Sequence, residues 1–125
     1  MELNEYQERA MSTCMPSCEN ISYMLLNLVG EVGEFASKVA KAIRKGNAVI
    51  LHNNKLFRIG DIDMLATQDE ELKKEAGDIL WQLSGLCAVM GWDLEDIAQT
   101  NLDKLAARKA AGTIDGNGDG IIRGK

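Results

Sequence analysis

Histidine is almost absent from this chain, with His52 the single example, and that alone removes the zinc and diiron centres that depend on imidazole ligands. Three cysteines, Cys14, Cys18 and Cys87, are too few and too unevenly spaced for a disulfide framework or a complete Cys-based zinc site. They read as buried or half-buried thiols in a reducing, cytoplasmic setting. Aromatics make up 5% of residues and proline occurs once, at Pro16, which speaks against a sandwich or barrel and for helices. No apolar run is long enough to cross a bilayer, and the polar opening Met1 to Arg9 lacks the layout of a signal peptide. An excess of positive charge is also missing. The net charge is −5, which excludes broad binding to a nucleic-acid polymer through a basic surface.

What is present is enough for one helical domain. At 125 residues with 46% hydrophobic content, the chain can bury a single core. Leu3, Tyr6, Ala10 and Met11 recur at helical spacing ahead of Pro16 and give a first helix. From about Asn20 the series Ile21, Leu25, Leu28, Val32, Phe35, Val39 and Ile43 predicts a long second helix with that series inward, stopped at Gly46. The period then changes. Val49 to Leu51 and Leu56 to Gly60 are β-prone runs around the polar residues His52 to Lys55, a small hairpin or an extended loop inserted at about 48–60. Thr67 as N-cap, with Glu70 three residues on, predicts the start of a third helix whose core positions are Leu72, Ala76, Ile79, Leu83, Leu86 and Met90. Asp93 is the expected cap of a fourth, with Leu94, Ile97 or Ala98, Leu102 and Leu105 inward. The expected layout is a helical domain over 1–111 and a glycine-rich tail over 112–125.

Two acidic pairs interrupt these apolar helices. Glu31 and Glu34 lie in Leu28-Val29-Gly30-Glu31-Val32-Gly33-Glu34-Phe35, and Glu75 and Asp78 lie in Glu75-Ala76-Gly77-Asp78-Ile79-Leu80-Trp81. Residues three apart on a helix have Cβ atoms about 5–6 Å apart, so each pair projects from one stripe. The full stripes are Asn27, Glu31, Glu34, Lys38 on helix two and Glu71, Glu75, Asp78, Gln82 on helix three. Charged helical residues commonly line a solvent face. Here Gly30, Gly33 and Gly77 accompany them, and glycine costs a helix about 1 kcal/mol relative to alanine, which points to close helix approach. Facing stripes would form a cage of oxygen ligands. Four uncompensated carboxylates repel, and a divalent cation removes the conflict; all-oxygen ligation selects Mg²⁺, with Mn²⁺ also suitable.

These motifs resemble the MazG-like all-α nucleoside triphosphate pyrophosphohydrolases, marked by Glu-x-x-Glu on one helix and Glu-x-x-Asp on the next. The resemblance runs from Asn4-Glu5-Tyr6-Gln7, through both acidic motifs, to Asn101-Leu102-Asp103-Lys104-Leu105 and Arg108. It implies a four-helix domain, packed with other copies into an oligomeric bundle as a homodimer or homotetramer. It also implies Mg²⁺-dependent hydrolysis of a nucleoside triphosphate, a deoxynucleotide or a noncanonical one, to the monophosphate and pyrophosphate. By motif, Glu31, Glu34, Glu75 and Asp78 are the implied metal-holding and catalytic residues. Asn101, Lys104 and Arg108 are candidate substrate contacts, each equally readable as surface polarity, and Lys38 is readable as a contact to phosphate or as a partner of the acids. A noncatalytic helical oligomer that binds nucleotide or metal as a regulator is the competing expectation. Trp81 is open to two readings, stacking on a base or filling the core.

The tail Asp115 to Ile122 imitates the start of an EF-hand loop, but the position for its twelfth-residue glutamate falls beyond Lys125. Its glycines have the wrong spacing to Lys125 for a P-loop. A similar tail occurs in some MazG-like proteins, which suggests a flap over phosphates with Arg123 in contact; simple terminal disorder is the other reading. The chain departs from many members at Gly30, where they carry another acid, so the number of metals stays open. It also departs in the longer segment between the acidic motifs.

Overall fold

A computed structural model describes residues 1–112; the proposed flap and Arg123 lie outside the described residues. Four helices and one hairpin follow in the order α1 (Leu3–Met11), α2 (Ile21–Arg44), β1 (Ala48–Ile50), β2 (Leu56–Arg58), α3 (Ile62–Val89) and α4 (Leu94–Ala111), with a 3₁₀ turn at Pro16–Cys18. None of the described helices is long and apolar enough to cross a membrane.

Local chemistry explains most boundaries. Asn20 caps α2 by accepting the Tyr23 amide, and Gly46, at φ +77°, lets the chain leave the helix in a left-handed turn. The inserted segment is a hairpin, with Ala48 opposite Arg58, Val49 opposite Phe57 and Ile50 opposite Leu56. Helix α3 begins earlier than Thr67 suggests. Asp61 is its N-cap and accepts the Met64 amide, whereas Thr67 donates its hydroxyl to the Asp63 carbonyl inside the helix. Both residue types can cap, and Asp61 is the one that comes soon after β2 ends.

Asp93 does occupy the N-cap position of α4 but makes no side-chain capping bond. Helix α1 supplies it instead. Gln7 Oε1 accepts the Leu94 amide at 3.0 Å, and Asn4 Oδ1 accepts the Glu95 amide at 3.1 Å. Gln7 Nε2 also donates to the carbonyls of Ser84 and Trp92, so this buried glutamine ties α1 to the end of α3 and the start of α4. The Asn4-Glu5-Tyr6-Gln7 opening is thus a capping device. Trp81 belongs to the same seam: its indole N–H is shared between the Ala10 carbonyl and the Thr13 hydroxyl, which fixes the end of α1 on α3.

The centre of the molecule is the α2–α3 pair. Met24 is fully buried against Gly85, where an added Cβ would collide with the Met24 side chain. Close helix approach is real, but Gly85 permits it. Positions 33 and 77 face open space, and the nearest atom to a Cβ at Gly30 belongs to Asn27 on the same helix. The expected inward series on α2 is only partly inward: Leu28, Phe35 and Val39 are half-buried, while Ile21, Leu25, Val32 and Ile43 remain 39–50% exposed. The stripe facing α3 is rotated toward Met24, Asn27 and Glu31, because α3 presents Gly85 and Gln82 there.

Candidate functional site

Two side-chain bonds fix the register of α2 against α3. Asn27 donates to Gln82 Oε1 at 2.7 Å, and Lys38 donates to Glu71 at 3.4 Å. Gln82 also donates to the Met24 sulfur at 3.4 Å, so the first bond is anchored in the core. From Asn27 to Lys38 the acids occur after steps of four, three and four, and from Gln82 back to Glu71 the steps are the same. Antiparallel helices joined at both ends of such a ladder set Glu31 across from Asp78 and Glu34 across from Glu75.

The electrostatics follow that register. Burial is the first cause that pushes the Glu31 carboxyl above the ordinary carboxylate range, followed by the negative charges of Asp78, Glu75 and Glu34 in that order. Asp78 also acts on the other side, where burial and then its charge raise the Tyr6 phenol. A hydrogen bond with Cys18 is the leading reason that the Tyr23 phenol is raised, with Glu31 among the lesser ones. Tyr6 and Tyr23 therefore flank the acidic groove. Tyr6 stands in the Asn4-Glu5-Tyr6-Gln7 opening and Tyr23 in no motif, and neither place could be read locally, since it depends on how α1 and the start of α2 lie against α3.

The expected cage is not preformed. Among the described residues, no three Asp, Glu, His or Cys side chains are gathered tightly enough to hold a metal ion as they stand. The donor set still fits a hard divalent ion, being all oxygen and free of competing sulfur or imidazole. Cys14 and Cys18 are half-buried and Cys87 buried, all three free thiols.

The other candidates lie on α2 and α4. Lys38 closes one end of the acidic ladder through Glu71. Asn101, Lys104 and Arg108 sit on α4, which packs on α1. One pocket of about 210 Å³ adjoins the ladder beyond Lys38, between α2, the hairpin and α3. Sequence reasoning missed it, because hairpin and helices meet only in the folded chain.

Comparison with known proteins bears on the family. The chain is 33% identical over 126 residues to the "Gene 37 protein" of Mycobacterium phage L5, covering 95% of this chain and 98% of that protein. No solved structure matches. Residues 19–112, which hold both acidic motifs and the helices that carry them, match the MazG nucleotide pyrophosphohydrolase domain, and the chain belongs to that family.

Proposed function

We propose that this protein hydrolyses a nucleoside triphosphate, a deoxynucleotide or a noncanonical one, to the monophosphate and pyrophosphate, with Mg²⁺ or Mn²⁺ as cofactor. The observation that carries the reading is the position of Glu31, half-buried and facing the charges of Asp78, Glu75 and Glu34. A free-standing protein gains nothing from that repulsion. Glu31, Glu34, Glu75 and Asp78 would hold the metal, which supplies charge neutralisation at the phosphate oxygens and a more acidic bound water. One of these four carboxylates also orients the water that attacks the α-phosphorus. The Asn27–Gln82 and Lys38–Glu71 bonds keep the two helices from sliding while those charges are drawn together.

The same reading includes assembly into a homodimer or homotetramer. Leu25, Leu26, Val29 and Val32 leave an apolar face of α2 between 49% and 72% exposed, beside the open position of Gly33. In such an assembly α4 of a neighbouring copy would bring Asn101, Lys104 and Arg108 toward the acidic groove. A cytoplasmic location accords with the three free thiols.

The test is a panel of canonical and modified nucleoside triphosphates with Mg²⁺, assayed for pyrophosphate. Pyrophosphate release that disappears in Glu34→Gln with Glu75→Gln, while helical circular dichroism is retained, is the expected result. Release of single phosphates would overturn the bond assignment, and nucleotide binding without turnover would favour the regulator instead.

A further inference from the structure

The ladder does not stop at Lys38 and Glu71. Three residues further along α2 is Lys41, and three residues further back along α3 is Gln68, so the same register sets these two across from each other. Both line the pocket of about 210 Å³, together with Lys38, Lys45, Arg58 and Glu71. Its wall therefore carries four cationic side chains against one carboxylate, in a chain whose net charge is −5. Lysines at the end of α2 suit the negative end of the helix dipole. That alone does not account for Arg58, which arrives from β2 and is held by Asp69 at 2.9 Å.

Gln68 adds a second, independent sign. Its Oε1 is buried with no hydrogen-bond partner. A buried amide left unbonded at a pocket wall is uncommon, since each unmet group costs about 1–3 kcal/mol. The three lysines and the arginine of the wall make a site for anionic oxygens.

We propose that this pocket binds a diphosphate group, placed one helical turn beyond the acidic groove and completed by the hairpin insertion through Arg58. From the Glu34–Glu75 level the near wall of the pocket at Lys38 and Glu71 is about 6 Å along the helix axis, and Lys41 and Gln68 about 10 Å, at 1.5 Å per residue. A phosphate chain whose reacting end lies in the acidic groove extends into this pocket, and so does free pyrophosphate leaving it. The placement of the substrate rests on the proposed hydrolysis; the pocket's taste for diphosphate does not.

Calorimetric titration with sodium pyrophosphate in EDTA isolates the pocket, because the acidic groove repels anions when no divalent ion is present. Wild-type protein should bind, and Lys41→Ala with Lys45→Ala, both exposed and remote from the core, should weaken binding about tenfold or more. Arg58→Gln should do the same, with the exposed lysine pair guarding against a hairpin that fails to dock. If the lysine variant also raises KM for the triphosphate and leaves kcat nearly unchanged, the pocket holds the terminal phosphates of substrate. If it relieves inhibition by pyrophosphate but leaves KM unchanged, the pocket holds the released product. No pyrophosphate binding by wild-type protein, or equal binding by the lysine variant, overturns the proposal. Those results are independent of turnover, so an inactive protein that still binds pyrophosphate here would refute the hydrolase and keep the pocket.

Discussion

Asn27 on α2 and Gln82 on α3 are joined at 2.7 Å, and this one bond sets which acids face each other four residues further along each helix. A slip by one residue would rotate the α2 acids by about 100° away from α3, since an α-helix has 3.6 residues per turn. The amide pair is buried enough to matter, because Gln82 also reaches the Met24 sulfur at 3.4 Å. It acts as a register pin between two helices whose charged middle repels.

Removing either amide should weaken the pair. Asn27→Ala and Gln82→Ala are each expected to lower unfolding stability by about 1–3 kcal/mol, with a coupling energy of about 1 kcal/mol in the double variant. Urea denaturation of all four proteins measures this. Additive losses would show that the two amides do not act together.

Glu31 gives a prediction of opposite sign. Its folded-state pKa is raised, so the folded protein binds its proton more tightly than the unfolded chain, and stability falls as pH rises through the raised value. In chelator at pH 8, Glu31→Gln should therefore melt at a higher temperature than wild type. Below the ordinary carboxylate range both carry a neutral group, and the gap should close. Added Mg²⁺ should stabilise wild type more than the variant, which thermal melts with and without the ion will show.

Asp69 behaves in the contrary way. The hydrogen bond from Arg58, followed by that from Lys73, holds its carboxyl below its ordinary 3.8. The stabilisation is present above that ordinary value and is lost as pH falls through the lowered one. Asp69→Asn should loosen the hairpin at neutral pH, with the difference from wild type fading in strong acid. Amide hydrogen exchange at Val49 and Phe57 reads the docking of the strands.

Gln7→Ala strands the Leu94 amide, which is buried and receives no help from Asp93. A loss of about 1–3 kcal/mol is expected, along with faster hydrogen exchange at the first turn of α4.

Gly85→Ala places a methyl group against Met24 in the tightest part of the core. Overpacking should destabilise by about 1–3 kcal/mol, and Met24→Ala in the same chain should recover part of it. The equivalent change at Gly33 or Gly77, where open space surrounds the position, should show no such clash in the isolated protomer.

The local signals that the sequence carries are those written in consecutive residues. Helix period, the Asn20 cap, the Gly46 stop and the paired acids each depend on neighbours within a turn, so they could be read without knowing the fold. Thr67 signals the start of α3 too late for a related reason: Asp61 and Thr67 offer the same capping chemistry, and only the end of β2 at Arg58 selects Asp61.

What the letters by themselves determined is a helical chain bearing two acidic pairs, each three residues apart on its helix. Tertiary structure alone decided that Asn27 meets Gln82, that Gly85 rather than Gly77 lets the helices close, that Gln7 caps a helix begun more than eighty residues later, and that Arg58 joins the lysines of α2. Each of those relations joins residues distant in sequence. Their energy depends on relative rotation and translation of whole helices, which no local periodicity records.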